Sequence, residues 1–216
     1  MTKTVGILGS GGVGKTLARG FLAKGYAVMV GTRSPEKLAD WQQRNPEVQL
    51  GSFAEAAAFG EVLVLAVKGH AASQVLELAN PDHMQGKLVL DATNPIDEKR
   101  GPDRGVLRFF TSLDESLMEQ LQQQVPGAHF VKAWNSVGAA LMVDPDFGGQ
   151  LPTMFIAGDD AGAKQQATEI LNAMGWEAED MGGAHGARAI EPLCILWCIP
   201  GFQRNQWNHA FKLLKK

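Results

Sequence analysis

The chain is short of every feature that would take it outside the ordinary globular class. It has only two cysteines, too few for the disulfide framework on which small secreted domains rely. Cys194 and Cys198 lie four apart in one apolar segment, a spacing that reads as two core thiols on one helical face rather than a disulfide or metal pair. No apolar run approaches the ~18 residues of a membrane span. The longest, 193–202, is short and broken by Pro200. Neither charge sign dominates: 20 Lys and Arg stand against 23 Asp and Glu, and a net charge of −3 offers no electrostatic ground for a nucleic-acid partner. His83, His129, His185 and His209 are scattered without metal-ligand spacing, so no metal is expected. The N-terminus runs straight into apolar residues without signal-peptide architecture. The expectation is a cytoplasmic protein with neither membrane nor nucleic acid among its partners.

What is present is a core-forming composition, 45% hydrophobic and 20% charged over 216 residues. Strands and helices alternate. Residues 5–8 read as a buried strand, followed by a glycine turn and a helix with Val13, Leu17 and Phe21 on one face. Further strands are expected at 26–30, 62–67, 87–91 and 129–134. Ser34-Pro35 starts a helix, Ser52 and Glu55 form a capping box, and a helix is expected over 71–79. Ser112 and Glu115 form a second box, with Leu113, Leu117 and Leu121 on the helix behind it. Residues 98–105 read as an exposed loop. A Pro/Gly/Asp-rich stretch, 144–152, marks a seam between residues 1–150 and a smaller part, 151–216. The smaller part offers a strand at 153–157, a helix at 161–174, a short strand near Trp176 and one or two final helices. Lys212, Lys215 and Lys216 read as a solvated helix end. The fold class is α/β: a doubly wound, mostly parallel Rossmann sheet with a small α+β C-terminal part.

The run Gly9-Ser10-Gly11-Gly12-Val13-Gly14 fits G-x-G-x-x-G directly after a strand and before a helix, the context in which it binds a dinucleotide. The first glycine permits the turn, the second lets a pyrophosphate approach, and the third lets helix and strand pack closely. An NAD site places Asp or Glu at the end of the second strand to hold the ribose hydroxyls. This chain has Gly31-Thr32-Arg33-Ser34 and then Lys37, cations and hydroxyls suited to a 2′-phosphate, so the cofactor read from the residues is NADP(H). The other strand ends, Val67-Lys68-Gly69-His70, Thr93-Asn94-Pro95 and Asn135-Ser136, should line the same cleft. His70 reads equally as a cofactor contact or as plain surface. Asn135 reads as a group that orients an amide or ring oxygen, or as a cap for the helix that follows.

Together with Lys132-Ala133-Trp134-Asn135-Ser136, these segments resemble the NADPH:coenzyme F-420 (deazaflavin) oxidoreductase family and the NADPH-binding domain of six-transmembrane metalloreductases. The likeness extends to Ala157-Gly158-Asp159-Asp160 and Arg188-Ala189-Ile190-Glu191-Pro192. It implies that Thr32, Arg33 and Lys37 hold the 2′-phosphate with Ser34 nearby. It also implies that Val67, Lys68, His70, Asn94 and Ala139 border the ribose and nicotinamide, with the acceptor ring near Asn135 and Val137. Where the deazaflavin enzymes carry His-Thr-Ile-Pro, this chain has Asn135-Ser136-Val137-Gly138, closer to the metalloreductase pattern, which brings flavin in beside deazaflavin as acceptor. The expected function is hydride transfer between NADP(H) and a small-molecule redox acceptor, with FMN, FAD or coenzyme F-420 as bound cofactor or substrate. Such transfer between stacked rings needs position more than acid–base groups, and no catalytic residue is named. An imine or carbonyl reductase and a non-enzymatic NADP(H) sensor are the competing readings. Trp176, Trp197 and Trp207 read as core or dimer contacts, and the apolar run 189–197 predicts a homodimer that completes the acceptor pocket.

Overall fold

The computed structural model describes residues 3–216. Six strands, β1 (Thr4–Leu8), β2 (Ala27–Gly31), β3 (Gln49–Gly51), β4 (Val62–Leu65), β5 (Leu88–Asp91) and β6 (His129–Lys132), form one wholly parallel sheet in the order β3-β2-β1-β4-β5-β6. The winding reverses between β1 and β4, which opens a crevice at their carboxyl ends. Successive side chains on a strand face opposite ways, so each inner strand feeds two cores. Ile7 and Val64 join one with Leu17 and Phe21 of α1 (Gly12–Ala23) and Trp41 of α2 (Ala39–Gln43), whereas Leu8 and Leu65 join the other with Ala56 of α3 (Phe53–Phe59) and Leu76 of α4 (Gly69–Leu78). Leu17 and Phe21 have no solvent exposure, and burial of each contributes roughly 1.5–3 kcal/mol. The edge strand β3 was not expected; at three residues it is too short to show an alternating pattern.

Two helix starts show how capping is decided. The Ser52–Glu55 box is formed as expected, with Ser52 Oγ accepting from Glu55 N at 3.2 Å and Glu55 accepting from Ser52 N at 2.7 Å. The expected Ser112–Glu115 box is not. The same pattern recurs four residues later, and Ser116 with Glu119 caps α5 (Leu117–Gln124) instead. The later frame buries Leu117, Met118 and Leu121, whereas Leu113 in the earlier frame is 74% exposed.

After β6 the chain builds a second, two-stranded parallel sheet, β7 (Thr153–Ile156) and β8 (Glu177–Asp180), joined by α6 (Ala161–Ala173). A bridge between Lys132 and Ala157 attaches it to β6. Two helices follow, α7 (Ala187–Ile190) and α8 (Leu193–Arg204), and Asn205 ends α8 at φ 53°. Residues 205–216 are not the helix end expected of their lysines. They fold back on the small sheet: Thr153 N donates to Phe211 O at 2.8 Å, Lys212 pairs with Glu177, and Lys215 with Glu179. Trp176 and Trp197 are core residues, and Trp207 lies over Gly201, whose missing side chain leaves room for the indole.

Candidate cofactor and acceptor site

A cleft of about 560 Å³ opens at the carboxyl ends of β1, β2 and β4. The glycine turn forms one wall, and its glycines serve different ends. Gly9 stands at φ +137°, and a Cβ there would lie 2.2 Å from Ala66 O. A Cβ on Gly14 would lie 2.0 Å from Gly9 O, so this glycine holds helix to strand. At Gly11 and Gly12, which line the cleft, a Cβ would meet nothing within 4 Å, so the space beside their backbone is open. The first turn of α1 holds no acidic residue, so its N–H groups and positive dipole end are open to an anion.

The end of β2 supplies the charge. Thr32 is buried, and its Oγ1 lies 3.1 Å from Ser10 Oγ and accepts from Ser34 N at 3.2 Å, tying the glycine turn to the segment after β2. The Ser34 hydroxyl sits at the head of the 3-10 turn Pro35–Leu38 but makes no capping bond. Arg33 and Lys37 are exposed, line the cleft, and form no ion pair among the described residues. Two cations and an uncommitted hydroxyl therefore face one spot, a donor set that fits a dianionic phosphate. The opposite wall comprises Phe53, Val67, Ala71, Gln74, Val75 and Leu78. Of these only Val67 was anticipated; the helix-borne residues project from α3 and α4 and carry no turn signal.

Lys68 also lines that cleft, and the other predicted residues gather at the ends of β4, β5 and β6. Lys68 is turned outward to Glu98 at 2.8 Å. His70 stacks on Phe110 with centroids 4.5 Å apart. Asn94 Nδ2 donates to Asn135 O at 2.8 Å, and Asn135 Nδ2 donates to Ile190 O at 2.9 Å and to Asn94 Oδ1 at 3.3 Å. Asn135 therefore does not cap a helix: the short turn that follows, Ala139–Leu141, begins after Gly138. Its Oδ1 is buried with no hydrogen-bond partner, a cost that a ligand N–H would relieve. Val137 is buried, Ala139 half-buried, and the Trp197 ring lies against Gly138.

Beneath the amides lies a cluster that the sequence reading did not assemble. Lys132 closes β6 with no solvent exposure. Its ammonium meets Asp91 Oδ2 at 2.6 Å and Glu191 Oε1 at 2.8 Å, and donates to Thr93 O at 3.0 Å. Burial alone would push this lysine down, but the attraction of Asp91 and Glu191 raises it above its ordinary value. Glu191 in turn accepts from Leu117 N at 2.9 Å and Met118 N at 3.0 Å, at the head of α5. Trp134, at φ 57° and fully buried, turns the chain sharply between Lys132 and Asn135. The two segments singled out for their likeness thus meet in space, the lysine of one holding the glutamate of the other.

The model of the family described as NADP oxidoreductase coenzyme F420-dependent matches residues 4–95. Metalloreductase STEAP3 of Rattus norvegicus is 33% identical over 91% of this chain, and the chain spans 38% of that protein's length. The F420-dependent NADP reductase of Methanothermobacter thermautotrophicus is 28% identical over 87% of the chain and 84% of its own. A crystal structure from Arthrobacter sp., described as a candidate F420-dependent NADP reductase, superposes with a TM-score of 0.92 at 32% identity, covering both chains completely. Among the described residues no helix is long and apolar enough to cross a membrane. With the glycine turn, the cationic end of β2 and these likenesses in agreement, the chain belongs to the F420-dependent NADP oxidoreductase family.

Proposed function

We propose that this protein passes a hydride between NADP(H) and a flavin or deazaflavin ring seated against the nicotinamide. The observation that carries the reading is the unequal chemistry of the site's two ends. Around Arg33, Lys37 and the start of α1 it is cationic and rich in N–H groups. Around Asn94, Asn135, Ser136 and Val137 it is buried and presents amide and apolar groups. NADP(H) has the same asymmetry, a charged 2′-phosphate end and a neutral nicotinamide end, and when bound it supplies the hydride. In this reading Thr32, Ser34, Arg33 and Lys37 hold the 2′-phosphate, and the N–H groups after Gly11 take the pyrophosphate. Asn135 and Asn94 hold the carboxamide end, and Val137 with Ala139 gives the acceptor ring an apolar seat. Position and exclusion of water are what the side chains contribute.

The direct test is rapid-mixing observation of NADPH absorbance with FMN, FAD, riboflavin, a deazaflavin and a cyclic imine offered in turn. Fast oxidation with a flavin or deazaflavin is the expected result. Oxidation by the imine alone would replace this function with imine reduction.

A further inference from the structure

The Asp91–Lys132–Glu191 cluster has no task in the function proposed above, yet burial makes it costly. Three charged groups with no more than 1% exposure carry a net negative charge, offset in part by the N-terminus of α5 that Glu191 caps. Apolar side chains of similar volume would hold a fold as well as a buried ion cluster does. What apolar packing lacks is direction, and the directions here are specific.

Each charged group sits next to one member of the amide pair. Lys132 donates to Thr93 O, the carbonyl immediately before Asn94, and Asp91 accepts from Thr93 N at 2.9 Å and Thr93 Oγ1 at 2.7 Å. Lys132 is itself three residues before Asn135, across the left-handed turn at Trp134. Glu191 directly follows Ile190, whose carbonyl takes the Asn135 amide at 2.9 Å. We infer that Lys132, Asp91 and Glu191 form a positioning cluster that sets the nicotinamide-side wall, fixing Asn94 and Asn135 from beneath and tying them to the α7–α8 corner. The inference rests on the cofactor reading above. In it, the C-terminal part of the chain determines the geometry at one end of the cleft and leaves the 2′-phosphate end untouched.

That asymmetry can be measured without turnover. Calorimetric titration of the full chain with NADPH and with adenosine 2′,5′-bisphosphate, which lacks the nicotinamide, separates the two ends. In the wild type NADPH binds more tightly than the bisphosphate. In Glu191→Gln, which keeps the size but presents N–H groups to Lys132 or to the α5 amides, NADPH weakens by about tenfold while the bisphosphate stays within about twofold. Lys132→Arg keeps the charge without the geometry and gives the same selective loss. Equal losses for both ligands, or no loss for either, overturn the positioning role while leaving the cofactor site standing. Wild-type protein that binds neither ligand overturns the cofactor reading itself. Asp91→Asn is the second variant if Glu191→Gln does not fold; failure of both to fold assigns the cluster to stability alone and also overturns the inference.

Discussion

The two ends of the cleft are built on opposite principles. The 2′-phosphate end comes from two short segments, 9–14 and 31–37; its cations are exposed, and its longest internal reach is the 22-residue step from Ser10 to Thr32. The other end is buried and assembled from distant chain: Lys132 reaches Thr93 39 residues away, and Glu191 reaches Leu117 74 residues away. An exposed, local site is easily altered without harm to the fold. A buried, long-range site cannot lose a member without disturbing several elements at once.

The largest effect that sharpens this contrast is expected at Lys132. Lys132→Met strands two buried carboxylates and should cost about 3–5 kcal/mol of unfolding free energy in denaturant titration. A cost below about 1 kcal/mol would show that this end is not the stiff one. Next comes Arg33→Ala, expected to weaken NADPH by about 1.5–3 kcal/mol with little change in NADH affinity or in stability. Equal losses for the two cofactors would remove the 2′-phosphate assignment and with it the functional difference between the ends.

The smallest effect tests a tie at the margin of the buried end. Arg188 holds Glu119 in a bidentate pair, with nitrogen–oxygen distances of 2.6 and 3.0 Å. Chiefly through that bond, the Glu119 carboxyl is pushed from the ordinary glutamate range down to about 2. A depressed carboxyl stabilises the fold above its unfolded value and loses that contribution as pH falls from there towards 2. The pair is partly exposed, so up to about 1 kcal/mol is expected. Wild type minus Arg188→Ala, compared at about pH 5 and about pH 3, isolates it, because other acid-sensitive carboxyls cancel. A difference that does not shrink at the lower pH would mean that the pair contributes nothing.

This split explains what was readable in the amino-acid order. The parallel sheet, the glycine turn and the cationic end of β2 follow from local signals, and each lies where the residues place it. The Ser112 frame failed because two consecutive boxes are equal as strings, and only tertiary burial distinguishes Ser116. The ion cluster was out of reach because no spacing rule links Asp91, Lys132 and Glu191. Its one local clue is a lysine inside the apolar run Phe130-Val131-Lys132-Ala133-Trp134, a place where a charge needs a buried partner.

The folded-back tail, 205–216, has a consequence for the order in which the molecule opens. Its ion pairs are partly exposed, and its other ties are the bonds of Thr153 to Phe211 and Leu213, Ala210 against the core, and the Trp207 and His209 contacts with Trp197. Its amides should therefore exchange with solvent through partial opening, well before those of β1 or β4, and faster as added salt screens the lysines. Since Trp197 also rests on Gly138, each opening relaxes the loop beyond Asn135. The lightly tied tail is thus linked, through one indole ring, to the buried end of the cleft.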